Sequence, residues 1–176
     1  DLTPKAVAFD VLAAAGRLPK EADPFLVATG INPRFPDEVL QAANRVAPFV
    51  SDPKRRDYTG REVFSIDDED TREIDDALSL EAREDFYRVG VHIADLTKFV
   101  NKSDHLDQEA ARRSTSIYLP HHTIRMFPER ISCDLASLRE NELRPTLSFE
   151  ADFSLNGELV DWRIVPGQIR VAHRLN

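Results

Sequence analysis

The clearest pattern in the chain is a strict alternation near its end. Leu147, Phe149, Ala151, Phe153 and Leu155 alternate with Ser148, Glu150, Asp152 and Ser154, and Val160, Trp162 and Ile164 resume the alternation beyond Asn156-Gly157. A period of two places one set on each face of a strand, so this stretch predicts a β-hairpin with a type I′ turn at Asn156-Gly157 and its apolar face, Trp162 included, in the core. Shorter apolar runs predict further strands at 63–66, 77–81 and 86–93, with a turn near 83–85. The helical signals lie elsewhere. Thr3 followed by Pro4 reads as an N-cap and first helical position, with Val7, Leu12 and Ala15 along one side and Gly16 at the end. Pro36 opens a second helix carrying Val39, Leu40 and Ala43. The run 104–113 has acids early and Arg112 and Arg113 late, in the order that complements a helix dipole. The predicted class is α+β, with a mixed, largely antiparallel sheet and packed helices. Residues 1–60 read as a helical lead-in and 61–176 as the body of the domain.

Composition narrows the picture. The chain has 176 residues, 41% of them hydrophobic and 31% charged, which suffices for a real core. Its longest early apolar run, 11–15, is too short to span a membrane, and no signal-peptide pattern precedes it, so no membrane partner is expected. Cys133 is the only cysteine, which suits a reducing, cytoplasmic setting and a buried thiol without a partner. Residues 165–176 carry no terminating signal, so the domain is expected to be incomplete.

Charge sharpens it further. The net charge is −8, from 31 acids and 23 bases, and by itself it argues against a nucleic-acid partner. The window 62–87 alone holds eleven acids and two bases, which leaves the rest of the chain at +1. At its centre, seven carboxylates fall within the ten residues 67–76. Two like charges ~4 Å apart repel by roughly 4 kcal/mol at an effective dielectric of about 20, so such a run either spreads into water or gathers a cation. Phe64, Ile66, Ile74, Ala77 and Leu78 flank it closely and tie it to a core edge. Fully extended, it would span roughly 30 Å, so a shared site requires it to fold back, with Thr71-Arg72 a suitable place. As adjacent strand residues, Asp75 and Asp76 would point to opposite faces, so their convergence requires irregular backbone or separate roles. An EF-hand register fails at positions five, six and twelve. Oxygen donors without nearby His or Cys suit magnesium or manganese. The solvated charge run remains the alternative.

Other residues read more simply. His92 is expected to be packed or hydrogen-bonded, and His121-His122 to lie in a surface loop. Arg112, Arg113, Arg125, Arg130, Arg139 and Arg144 each suit a surface ion pair. Together, with Tyr118 among them, they suit the flank of an RNA track.

The string FSIDDEDTREIDDALSL resembles the first motif of the ribonuclease II family catalytic domain. Three further stretches resemble later family blocks in the same order: VGVHIADLTKFV, LDQEAARRSTSIYLP and FPERISCDLASLRENELRPTLS. The resemblance covers roughly 63–170, and it implies the first half of a ribonuclease II-type catalytic domain. It also implies a 3′-to-5′ hydrolytic exoribonuclease that degrades single-stranded RNA to nucleoside 5′-monophosphates with magnesium or manganese. By resemblance, Asp67, Glu73, Asp75 and Asp76 are metal ligands, with Asp75, Asp76 and Asp67 catalytic, and Tyr118 contacts the RNA near its 3′ end. Glu73 stands where the family usually has Asp. The rest of the catalytic domain and the family's RNA-binding domains are expected outside this chain. The alternative is a non-catalytic RNA-binding or scaffold protein that keeps the fold.

Overall fold

The computed structural model describes residues 3–19, 22–120 and 122–176. The chain forms two compact units, Asp1–Pro36 and Asp37–Asn176.

The first unit holds α1 (Pro4–Ala14) and α2 (Pro24–Thr29). Each starts with a side-chain cap followed by proline. Thr3 accepts from Ala6 N in α1, and Asp23 accepts from Phe25 N and Leu26 N in α2. Gly30 closes α2 at φ 69°, the left-handed conformation that glycine adopts without penalty. The hydrophobic pattern of 24–29 is too short to have predicted α2, although its Asp-Pro start and Gly stop are both present in the sequence.

The second unit is built on a seven-stranded sheet in the order β1-β8-β7-β4-β3-β2-β9. In chain order, α3 (Asp37–Arg45) is followed by β1 (Arg56–Asp57), β2 (Val63–Ile66), β3 (Asp76–Ala82) and β4 (Phe86–Ala94). A 3-10 turn (Leu96–Lys98), α4 (His105–Arg113), β5 (Ile117–Tyr118) and β6 (Thr123–Ile124) come next. One π-helical stretch (Arg130–Leu135) then leads to β7 (Leu143–Ser154), β8 (Leu159–Arg170) and β9 (His173–Leu175). The central pairings are antiparallel, and the edge strands β1 and β9 pair in parallel with β8 and β2. The class is therefore α+β, mixed and largely antiparallel, as the pattern predicts. Tyr58, Val63, Ile74, Ala77, Leu138, Ile169 and Val171 form its core cluster.

The long hairpin is present, but two expectations about it are corrected. Its turn is not type I′, which needs positive φ at both central residues. Gly157 N donates to Ser154 O (2.9 Å), and of the loop residues 155–157 only Gly157 has positive φ (83°). This is a three-residue loop, a type I turn closed by a left-handed glycine. The coverage of the faces also differs from expectation, although Ala151, on the apolar face, is buried. Thr146, Ser148 and Glu150 are buried, whereas Leu147, Trp162 and Ile164 are about half exposed. Trp162 is therefore not a core residue of this chain.

The polar face is buried because its members satisfy one another. His92 lies between Ser79 Oγ, 3.0 Å from Nε2, and Ser148 Oγ, 2.8 Å from Nδ1. Ser148 also meets Thr146 Oγ1 at 2.9 Å. Glu150 pairs with Arg61 (2.9 Å) and Arg163. Gly90 and Gly167 make room for this layer, since a Cβ at Gly167 would stand 2.6 Å from Ser148 Oγ and 2.8 Å from the Tyr58 ring. A period of two identifies a strand's faces but not which of them is covered.

The same packing pins the acidic run. Ser137, fully buried, accepts from Ile74 N (3.1 Å) and donates to Arg72 O (3.0 Å). Leu138 N donates to Ile74 O (2.9 Å), and Ala94 N donates to Asp75 O (2.8 Å).

Two outcomes are expected. Burial lowers the His92 pKa to about 4, so the folded state excludes a proton that the unfolded chain binds at its ordinary value. This contribution is complete above the unfolded pKa and is lost as pH falls toward the folded one, by up to ~3 kcal/mol. Asp75, raised to about 6, titrates with the opposite sign over the same range, so the His92 contribution is read as a difference: from about pH 6.5 to 5, urea midpoints of the unaltered chain should fall relative to those of His92→Asn. Ser137→Ala leaves the buried Ile74 N–H and the part-buried Arg72 carbonyl without their partner and should cost about 1–3 kcal/mol. Amide exchange at Ile74 should speed up accordingly.

Candidate metal and RNA site

Asp67 follows β2 directly, and its N–H donates to Leu175 O (3.0 Å) on the parallel neighbour β9. The chain then reverses over 68–71, where Thr71 N donates to Asp68 O (2.9 Å). The reversal predicted at Thr71-Arg72 thus occurs slightly earlier. Residues 72–75 return as irregular backbone, and β3 begins at Asp76, opposite Ile93 on β4. Asp75 and Asp76 therefore do not sit as alternating residues of one regular strand.

Asp68, Glu69 and Asp70, on the turn, are exposed, as are Asp75 and Asp76, whereas Asp67 and Glu73 are half-buried. The four residues singled out by the motif share one electrostatic field. Asp75 is pushed up to about 6, first by desolvation in its cleft and then by the charges of Glu73, Asp76 and Asp67. Asp67 Oδ2 is buried and has no hydrogen-bond partner. Glu73 is engaged otherwise, because Arg125 Nη1 donates to its Oε2 at 2.7 Å. Among the described residues, no three His, Cys, Asp or Glu side chains stand close enough together to hold a metal ion. The donor set nevertheless suits a hard divalent cation. Its atoms are all carboxylate oxygens, one of them buried with a free lone pair, and Asp75 carries an excess of neighbouring negative charge that a cation would relieve.

Tyr118 lies close by, on the short β5–β6 hairpin. Its side chain is 72% exposed, and Glu73 and Asp75 help desolvation raise its pKa. Tyr118, Glu73, Asp75, Ser114, Ser116 and Ser132 line one cleft of ≈ 380 Å³. The cleft thus joins an exposed aromatic surface to the acids.

The expected arginine track has a different character. Arg112 and Arg113 bind Glu109, Arg130 and Arg139 bind Asp134, and Arg144 is buried against Ser137 O (2.8 Å) and Asp134 O (2.9 Å). With Arg125 on Glu73, each of the six has a partner within the chain. His92 and Cys133 are buried as expected. His122 is exposed, and His121 lies outside the described residues.

Sequence reasoning missed two residues that shape the site. Ser137 falls within the fourth family block but carries no chemistry that would single it out. Arg174 lies beyond the region of resemblance. Its Nη2 lies 2.7, 3.0 and 2.8 Å from the carbonyl oxygens of Asp68, Glu69 and Thr71.

Among the described residues, no helix is long and apolar enough to cross a membrane. Comparison with known proteins gives a consistent relationship. The family model described as the RNB domain matches residues 55–176. Ribonuclease R of Mycoplasmopsis pulmonis is 35% identical over 144 residues, covering 80% of this chain and 20% of that protein. The structure of Mycoplasma genitalium RNase R in complex with ribose-methylated single-stranded RNA superposes with a TM-score of 0.81 at 27% identity, over 86% of this chain and 24% of that one. Yeast Ssd1, described as a pseudonuclease, shares the fold at a TM-score of 0.66 and 19% identity, over 74% of this chain and 17% of its own. The chain thus spans about a fifth of the length of the curated relative it matches. On the match over residues 55–176, the chain belongs to the RNB domain family.

Proposed function

We propose that this chain contributes the acidic part of the catalytic centre of a 3′-to-5′ exoribonuclease that hydrolyses single-stranded RNA to nucleoside 5′-monophosphates. The observation that carries the reading is Asp75, raised to about 6 by desolvation and by Glu73, Asp76 and Asp67, in a cleft it shares with exposed Tyr118. Family membership supports the same reading.

Asp67, Asp75 and Asp76 would hold a divalent ion of the magnesium or manganese type. Such an ion, when bound, neutralises charge on the attacking and leaving oxygens of a phosphodiester and activates water. The chain's own residues supply the rest. The hydrogen bonds of Ser137, Leu138 and Ala94 fix the backbone on either side of Asp75, so its side chain would be presented to the ion from a held main chain. Tyr118 offers a face on which a terminal base can stack, a contact worth roughly 1–3 kcal/mol and indifferent to sequence. Glu73, bound to Arg125, would act through its charge and by holding that guanidinium near the cleft.

The Glu73–Arg125 pair also motivates a second reading, a non-catalytic RNA-binding or scaffold protein, because it occupies one of the four motif acids. Incubating the complete RNB-family protein that carries this segment, a fifth of such a protein's length, with body-labelled single-stranded RNA and magnesium separates the two. Stepwise release of labelled 5′-mononucleotide, lost in Asp75→Asn while RNA still binds, is the expected result. Undiminished cleavage by Asp75→Asn would overturn the assigned role. RNA binding with no release by that complete, unaltered protein would favour the scaffold.

A further inference from the structure

We propose that Arg174 is a positioning residue for the acidic loop, and that its guanidinium holds the chain reversal that turns the segment leaving Asp67 back toward Asp75 and Asp76. The inference rests on the metal-site reading above and assigns the residue that builds that site's geometry.

Three observations carry it. Arg174 Nη2 meets three carbonyl oxygens of the reversal, those of Asp68, Glu69 and Thr71, within 3.0 Å. The strand that carries Arg174 pairs with the one leading into the loop, with Ser65 opposite Arg174 and Ile66 opposite Leu175. Asp67 N–H, the first group of the loop, donates to Leu175 O at 3.0 Å. One short strand therefore holds the loop's entrance by its backbone and the loop's turn by a side chain. Asp68, Glu69 and Asp70 project from that turn into solvent, and their mutual repulsion favours opening it. A guanidinium can oppose that opening because its N–H groups grip backbone oxygens in fixed directions, with charge assistance.

Two effects of Arg174 on a divalent ion have opposite sign. Its positive charge repels the ion, so removing it would tighten binding. Its grip on the turn prepares the ligand geometry, so removing it would weaken binding. The turn is open to solvent, and charge effects there fade over a Debye length of about 8 Å. The hydrogen bonds are direct and not diluted in this way. Geometry should therefore dominate, and the sign of the effect distinguishes positioning from simple charge.

The test is Mn²⁺ binding to the 176-residue chain, followed by the electron paramagnetic resonance signal of the free ion, with thermal melts in chelator as a control for folding. Arg174→Met should weaken Mn²⁺ binding by about tenfold, the scale of one charge-assisted hydrogen-bonding group. Arg174→Lys, whose ammonium carries three N–H donors, should recover most of that loss. If Arg174→Met does not melt cooperatively, Arg174→Gln, uncharged but still a donor, is read in its place and should also bind Mn²⁺ more weakly. Unchanged or tighter binding in the folded variant overturns the positioning role. Absence of Mn²⁺ binding by the unaltered chain, or unchanged binding in Asp75→Asn, would instead overturn the metal-site reading and this inference with it.

Discussion

Mutual repulsion among the carboxylates of the 67–76 run is the constraint around which the site is organised. Seven acids in ten residues would separate into water if nothing held the backbone. The fold opposes that with neutral hydrogen bonds and one guanidinium, and neutralises directly only part of the charge. Ser137, Leu138 and Ala94 hold the returning strand, while Leu175 and Arg174 hold the departing one. Asp75 consequently sits where desolvation and three neighbouring acids disfavour its charge. A cation bound there would relieve that charge, which is the basis on which the metal-site reading is proposed.

The sheet makes this arrangement rigid. Its buried layer near β4 and β7 is polar, built from His92, Ser79, Ser148, Thr146 and the arginine-bound Glu150. Ser79, His92, Ser148 and Thr146 are linked in one chain of hydrogen bonds, and the tight fit over Gly90 and Gly167 leaves little room for another register. β4, which supplies Ala94 to the Asp75 carbonyl, is thus anchored at its own centre by His92.

Much of this is legible in the sequence. The positions of β2, β3, β4, β7 and β8 follow from apolar runs and alternation, whereas the two- and three-residue strands β1, β5, β6 and β9 are too short to show a pattern; α1 and α4 follow from their caps and charge order, and the acids from their motif. The reversal of the acidic run follows from the length of an extended chain. The covered face of the hairpin does not follow, because Ser148 and Glu150 look solvent-facing until His92, Ser79 and the arginines are known to meet them. The arginines likewise suggest an external track until Asp134, Glu109 and Glu73 are seen beside them. Ser137 and Arg174 act on backbone atoms, and residue type alone does not reveal such contacts. These are long-range pairings, and neither periodicity nor local spacing encodes them.

The central claim is that the acids around Asp75 form one cation site. Paramagnetic broadening of the chain's amide NMR signals by substoichiometric Mn²⁺ tests it most directly. The account predicts early, selective loss of signals at Asp67, at Glu73 through Asp76, and at their sheet neighbours Ile93 and Ala94. Broadening centred instead on the exposed turn acids Asp68, Glu69 and Asp70, or spread equally to Glu84 and Asp85, would contradict it and identify the segment as a solvated charge run.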